Sequence, residues 1–169
     1  QHQYRPALDC FRAGVPVLIE KPMTLSVGEA DALVEAARAH GAVAMVDHLQ
    51  RYATGVAKMR EIVAEAGTPI GMACRAGAWG PFRTDVDVLW DWGAHDVALV
   101  GDLLGWDGLV LEDATARTVC EREGGRGQSA WMRFRRHDTA IHITVSNVLP
   151  GKVRCLELTF ANGAVHRYS

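Results

Sequence analysis

Apolar and polar positions fall into two regimes along the chain. Before residue 47, helical spacing alternates with short unbroken apolar runs. Residues 6–13 predict a helix that Gly14 ends, and residues 15–19 predict a short buried strand. Ser26 and Glu29 then stand in the S-x-x-E spacing of a capping box. Ala30, Leu33, Val34 and Ala37 follow at i, i+3, i+4, i+7, and Gly41 stops that helix. Residues 42–46 predict a second short apolar strand. Strand, helix and strand with tight joints make a parallel crossover unit. The helix ahead of the first strand is half of a further βαβ repeat.

Beyond Asp47 the periodicity changes. Residues 54–66 predict an amphipathic helix, with Val56, Met59, Ile62 and Val63 inward, Lys58, Arg60, Glu61 and Glu65 outward, and Gly67 closing it. A strand over 70–78 precedes a Gly80-Pro81 break, and a second helix over 88–104 ends at Gly105. The remainder predicts strands over 110–120, 129–136, 139–146 and 154–160, and a last one from 164. Glu123-Gly-Gly-Arg-Gly127, His137-Asp138 and Asn162-Gly163 supply the hairpin turns. Successive hairpins give an antiparallel sheet. Ile141, Ile143 and Val145 alternate with Ala140, His142 and Thr144, leaving one apolar and one mixed face. The two helices are expected on the apolar face. The fold class is therefore α+β attached to a piece of α/β.

Composition narrows the function classes. The 169 residues carry 18 Lys and Arg against 20 Asp and Glu, a formal charge of −2. That balance gives no electrostatic pull towards nucleic acid or an anionic membrane. No apolar run approaches the roughly 20 residues of a membrane-spanning helix. Residues 1–14 mix Arg5, Asp9 and Arg12 among apolar positions, unlike a signal peptide. The four cysteines, Cys10, Cys74, Cys120 and Cys155, form no C-x-x-C pair. Reduced thiols in a cytoplasmic compartment are expected.

Three places carry candidate chemistry. Glu20-Lys21-Pro22 stands at the end of a predicted strand, where open α/β sheets take their ligands, and Pro22 biases Lys21 away from the helical region. A solvated Glu–Lys pair leaving a strand is the plainer alternative. Asp91 and His95 share one helical face at i, i+4, within Trp90-Asp-Trp-Gly-Ala-His-Asp96. A carboxylate beside an imidazole suits a general base near neutral pH. A helix-surface ion pair explains the same spacing, and a metal centre there lacks a third ligand. Asp47-His48, with Arg51 and Tyr52 just beyond, forms the third place. Trp90 or Trp92, flanking Asp91, is positioned to wall a pocket.

Taken in order, these places resemble one family. Residues 13–23, AGVPVLIEKPM, are similar to the "AGKHVLxEKP" segment of the Gfo/Idh/MocA oxidoreductases. Asp91-Trp-Gly-Ala-His95, leading into Asp102-Leu-Leu-Gly105, resembles that family's catalytic helix. Met45-Val-Asp-His48, Gly80-Pro-Phe, residues 85–91 and Pro150-Gly-Lys-Val-Arg154 resemble the members acting on sugars or nucleotide sugars. The resemblance implies the C-terminal part of a Rossmann dinucleotide-binding domain over residues 1–46. Residues 47–169 would form an α+β substrate and oligomerisation domain with a mainly antiparallel open sheet and helices on one face.

The resemblance also implies roles. Lys21, Asp91 and His95 are the catalytic candidates, Glu20, Lys21 and Pro22 the cofactor contacts, and Tyr52 and Trp90 the substrate contacts. NAD or NADP would be the cofactor, with no metal, and a sugar or nucleotide sugar the substrate. The open sheet face would join a homodimer or tetramer. No G-x-G-x-x-G occurs in the sequence, so the chain is expected to be an internal portion lacking the glycine-rich N-terminal segment. The competing expectation is a cofactor-free binding or oligomerisation module.

Overall fold

A computed structural model of the chain describes residues 3–169. It divides into two compact units, one ending at His48 and the other running Leu49–Ser169.

The first unit runs α1 (Tyr4–Arg12), β1 (Val17–Glu20), α2 (Val27–Ala39) and β2 (Ala44–Asp47). β1 and β2 pair in parallel, with Val17 opposite Ala44 and Glu20 opposite Asp47. Ala7, Leu8 and Phe11 of α1 pack with Ile19, Leu33 and Ala37 in a small core. Two expectations need correction. Within this unit β1 and β2 bury one face only, because Leu18 and its register partner Met45 point outward. The capping box also stays open: Ser26 makes no side-chain cap bond. Its carbonyl instead accepts the Thr24 hydroxyl at 2.7 Å and the Ala30 N–H at 3.0 Å, which fastens the helix entry through the backbone.

The second unit opens with a 3-10 turn (Leu49–Tyr52) and α3 (Thr54–Ala66), followed by β3 (Gly71–Trp79). A π-helical turn (Leu89–Gly93) leads into α4 (Ala94–Leu104). Then come β4 (Leu109–Arg122), β5 (Gly125–Arg136), β6 (Thr139–Ser146), β7 (Val148–Thr159) and β8 (Val165–Tyr168). The six strands form one sheet in the order β4-β5-β6-β3-β7-β8. The sheet is mainly antiparallel, as the hairpins predict, with one parallel edge where β3 inserts between β6 and β7 and runs parallel to β6.

The alternation in β6 behaves as expected. Ile141, Ile143 and Val145 are buried, while His142 and Thr144 are exposed. Val56 and Met59 of α3 and Leu99, Val100, Leu103 and Leu104 of α4 join those strand residues in a single core. Apolar burial stabilises at about 25 cal/mol per Å², so this helix-covered face carries most of the unit's stability. The opposite face displays Arg75, Arg133, His142 and Thr144. Gly77 is required by β3's central place: a Cβ there would sit 2.0 Å from the Ser146 carbonyl oxygen.

Candidate active site

The segment bearing Asp91 and His95 starts from Asp87. The Asp87 carboxylate accepts the backbone N–H groups of Leu89 at 2.9 Å and Trp90 at 3.1 Å. Two of the donors that every helix start leaves unsatisfied are thereby paired. The next turn is π-helical, so the expected regular helix over 88–104 is not uniform. Such wide turns inside helices are frequent at functional sites. Asp91 lies within this turn, half-buried, and its N–H donates to the Asp87 carbonyl at 3.0 Å. His95 follows as the second residue of α4 and is buried. Trp90 is exposed, and Trp92 packs on the core.

Asp96, next to His95, is a residue that sequence reasoning missed. It is 1% exposed, and its Oδ1 accepts Nη1 of Arg154 from β7 at 2.5 Å. Its Oδ2 has no hydrogen-bond partner among the described residues. Burial pushes the Asp96 carboxyl up to about 6, against the opposing pull of Arg154. Cys74 of β3 is buried in the core, and burial raises its thiol well above the ordinary value.

A second polar hub fixes the loop that precedes the helix. Asn147, buried between β6 and β7, donates through Nδ2 to the carbonyls of Arg126 at 3.0 Å and Pro81 at 3.3 Å. Its Oδ1 accepts the Gln128 N–H at 2.5 Å, and its carbonyl accepts the Gly80 N–H at 2.9 Å. Gln128, also buried, accepts the Val88 N–H through Oε1 at 3.2 Å. Two inward-facing amides therefore hold both ends of the loop between Gly80 and Val88. Only inward polar residues in otherwise apolar strands could have signalled this.

Arg51, Arg60 and Asp102 form a third cluster. Asp102 on α4 accepts Arg51 Nη2 at 2.6 Å and Arg60 Nε at 2.8 Å, while Arg60 also donates to the Arg51 carbonyl. Burial raises the Asp102 carboxyl, but the two arginines together outweigh it and hold it below the usual range. The 3-10 turn carrying Tyr52 is thus tied to α4, leaving Tyr52 exposed.

In the first unit, Glu20 and Asp47 end the paired strands. Glu20 is exposed, and Lys21 and Pro22 are half-buried just past β1, as is His48 past β2. The structure brings Glu20, Lys21 and Pro22 together at one strand end of the first unit. It brings Asp91 and His95 together at one helix start of the second.

The family described as oxidoreductase family, NAD-binding Rossmann fold, matches residues 1–48, the whole of the first unit. The first unit thus matches the Gfo/Idh/MocA oxidoreductase family model. UDP-N-acetylglucosamine 3-dehydrogenase of Acidithiobacillus ferrooxidans is 28% identical to this chain over 168 residues, covering 94% of it and 52% of that protein. A solved structure of that dehydrogenase, GnnA, superposes with a TM-score of 0.77 at 27% identity, covering 98% of this chain and 57% of its own. GenD2 from gentamicin A biosynthesis, solved in complex with NAD, gives a TM-score of 0.85 at 26% identity over 98% and 51%. The chain thus spans about half the length of the relatives it matches.

Proposed function

We propose that the chain contributes to an oxidoreductase that removes hydride from a hydroxyl-bearing carbon of a nucleotide sugar and passes it to NAD or NADP. Supporting this reading most directly is the helix start where half-buried Asp91 precedes buried His95, in a chain whose first unit matches this oxidoreductase family. In the proposed reaction the substrate O–H bond breaks and its proton passes to His95. The electron pair of the adjacent C–H bond leaves as hydride, and the C–O bond becomes a carbonyl. Asp91 orients the imidazole and the hydroxyl. Lys21 stabilises negative charge as it develops on the substrate oxygen. Tyr52 and Trp90, both exposed on this unit, are assigned to sugar contacts.

The cofactor, when bound, supplies the hydride acceptor. The residues present fit the nicotinamide end of a dinucleotide, since carboxyl ends of adjacent parallel strands are the ligand edge of an open α/β sheet. Glu20, Lys21 and Pro22 are assigned to that end. In this reading residues 1–46 belong to the dinucleotide-binding domain and 47–169 to the substrate domain. The open sheet face, with Arg75, Arg133 and His142, joins a second copy of the chain. Light scattering that returns a monomer would remove that last assignment alone.

The test follows NADH formation by the full-length protein with UDP-N-acetylglucosamine. His95→Ala and Lys21→Met should each lower kcat by about 100- to 10,000-fold, with the fold kept by circular dichroism. Unchanged turnover in either variant would reject its assigned role. Failure of the unsubstituted protein to reduce NAD or NADP with any nucleotide sugar would reject the reaction.

A further inference from the structure

One corner of the second unit combines exposure with immobility. Trp79, at the end of β3, is 55% exposed. Its ring meets Phe82 edge to face, with centroids 5.5 Å apart and planes at 89°. The Arg122 guanidinium, from the end of β4, stands 5.2 Å from the Trp79 ring centroid. An exposed indole on a mobile loop would pay ordering entropy on meeting a ligand. This one is fixed on both sides. Upstream it continues β3, and downstream Gly80 and Pro81 are bonded to buried Asn147. The Arg83 carbonyl accepts the Arg126 N–H at 3.3 Å. Residues 82–83 lie directly on Gly125, where a Cβ would come within 2.3 Å of the Arg83 nitrogen.

The corner adjoins the candidate chemistry. Arg83 is paired with Asp85, which holds its guanidinium protonated beyond the ordinary value, and the Asp91 carboxylate adds to that field. Arg83 therefore lies within electrostatic reach of Asp91. A rigid aromatic surface suits a nucleobase, and flanking guanidinium groups suit its phosphates. We propose that Trp79, Phe82 and Arg122 form the platform that docks the nucleoside diphosphate end of the substrate, the base stacking on Trp79 and the phosphates meeting the arginines. This rests on the nucleotide-sugar reading above and assigns the distal half of that substrate.

Calorimetric titration of the full-length protein with UDP, and with pyrophosphate as the probe lacking a base, tests it. Trp79→Ala should weaken UDP binding roughly 5- to 150-fold, the range of base–aromatic stacking, and leave pyrophosphate binding within about twofold of the unsubstituted protein. Arg122→Gln, at an exposed position, should weaken both probes. The proposal is overturned if UDP fails to bind, if UDP binding survives both substitutions, or if Trp79→Ala weakens both probes equally. Because UDP binding is read without turnover, a protein that binds UDP through Trp79 but oxidises no nucleotide sugar would reject the reaction and keep the platform.

Discussion

Asp96 and Arg154, 58 positions apart in sequence, meet at 2.5 Å on the helix-covered side of the sheet, immediately beside His95. The pair is directional and buried: Arg154 has 16% of its side chain exposed and Asp96 has 1%. It fixes the first turn of α4 to β7 at the place where the candidate base is mounted.

The Asp96 carboxyl, pushed up to about 6 by burial, makes the pair pH-sensitive. A carboxyl raised in the folded state favours folding most when protonated, and that contribution is lost as pH rises through about 6. Asp96→Asn removes the titration. Denaturant melts from pH 4 to 8 should show the unsubstituted protein gaining on this variant as pH falls, by up to ~3 kcal/mol. A pH-independent difference would contradict the burial account.

Arg154→Met strands the carboxylate. At pH 8 the expected loss is about 3–5 kcal/mol, and it should shrink towards pH 4.5 as Asp96 takes up a proton. Adding Asp96→Asn should recover part of the loss at pH 8, measurable as a double-mutant cycle.

The amide hub separates positioning from chemistry. Asn147→Ala leaves the Pro81 and Arg126 carbonyls and the Gln128 N–H without their side-chain partner. A destabilisation of about 1–3 kcal/mol is expected. If the loop positions the Asp87-capped helix, kcat should fall at temperatures where the variant is fully folded. A stability loss with kcat unchanged would make the hub purely architectural.

Adjacent glycines at the β4–β5 turn should differ sharply. Gly124 has φ +85 and open space at a Cβ, whereas Gly125 has φ +151 and the Arg83 backbone at 2.3 Å. Gly124→Ala should cost about 1–2 kcal/mol, and Gly125→Ala substantially more, because backbone must move. Thermal melts of the two variants give the comparison.

Local pattern was a good guide where neighbours in sequence are neighbours in space. α3 and β6 occupy their predicted residues, because amphipathic spacing and strict alternation are set within the segment. The helical setting of Asp91 and His95 was similarly legible, apart from the π-helical turn. Long-range polar partners were not, although each left a trace. Asp96 lies on the same helical stripe as Leu99, Val100 and Leu103, and Arg154 shares inward parity with Leu156 and Leu158. An acid and a base, each on a core-facing stripe, require a partner inside. Gln128 likewise alternates with buried Ala130 and Met132. β3's position between β6 and β7 left no comparable trace, since its two edges look alike until their partners are known.

That position has a temporal side. On a ribosome, β3 is synthesised about 60 residues before β6 completes its parallel edge, and later still before β7 closes the other. Until then neither edge of β3 can meet the strand it pairs with in the fold. The β4–β5–β6 meander can zip locally while it waits. Capture of β3 is the long-range, entropy-limited event, so substitutions at Gly77 or Ile143 should slow refolding, measurable by stopped-flow.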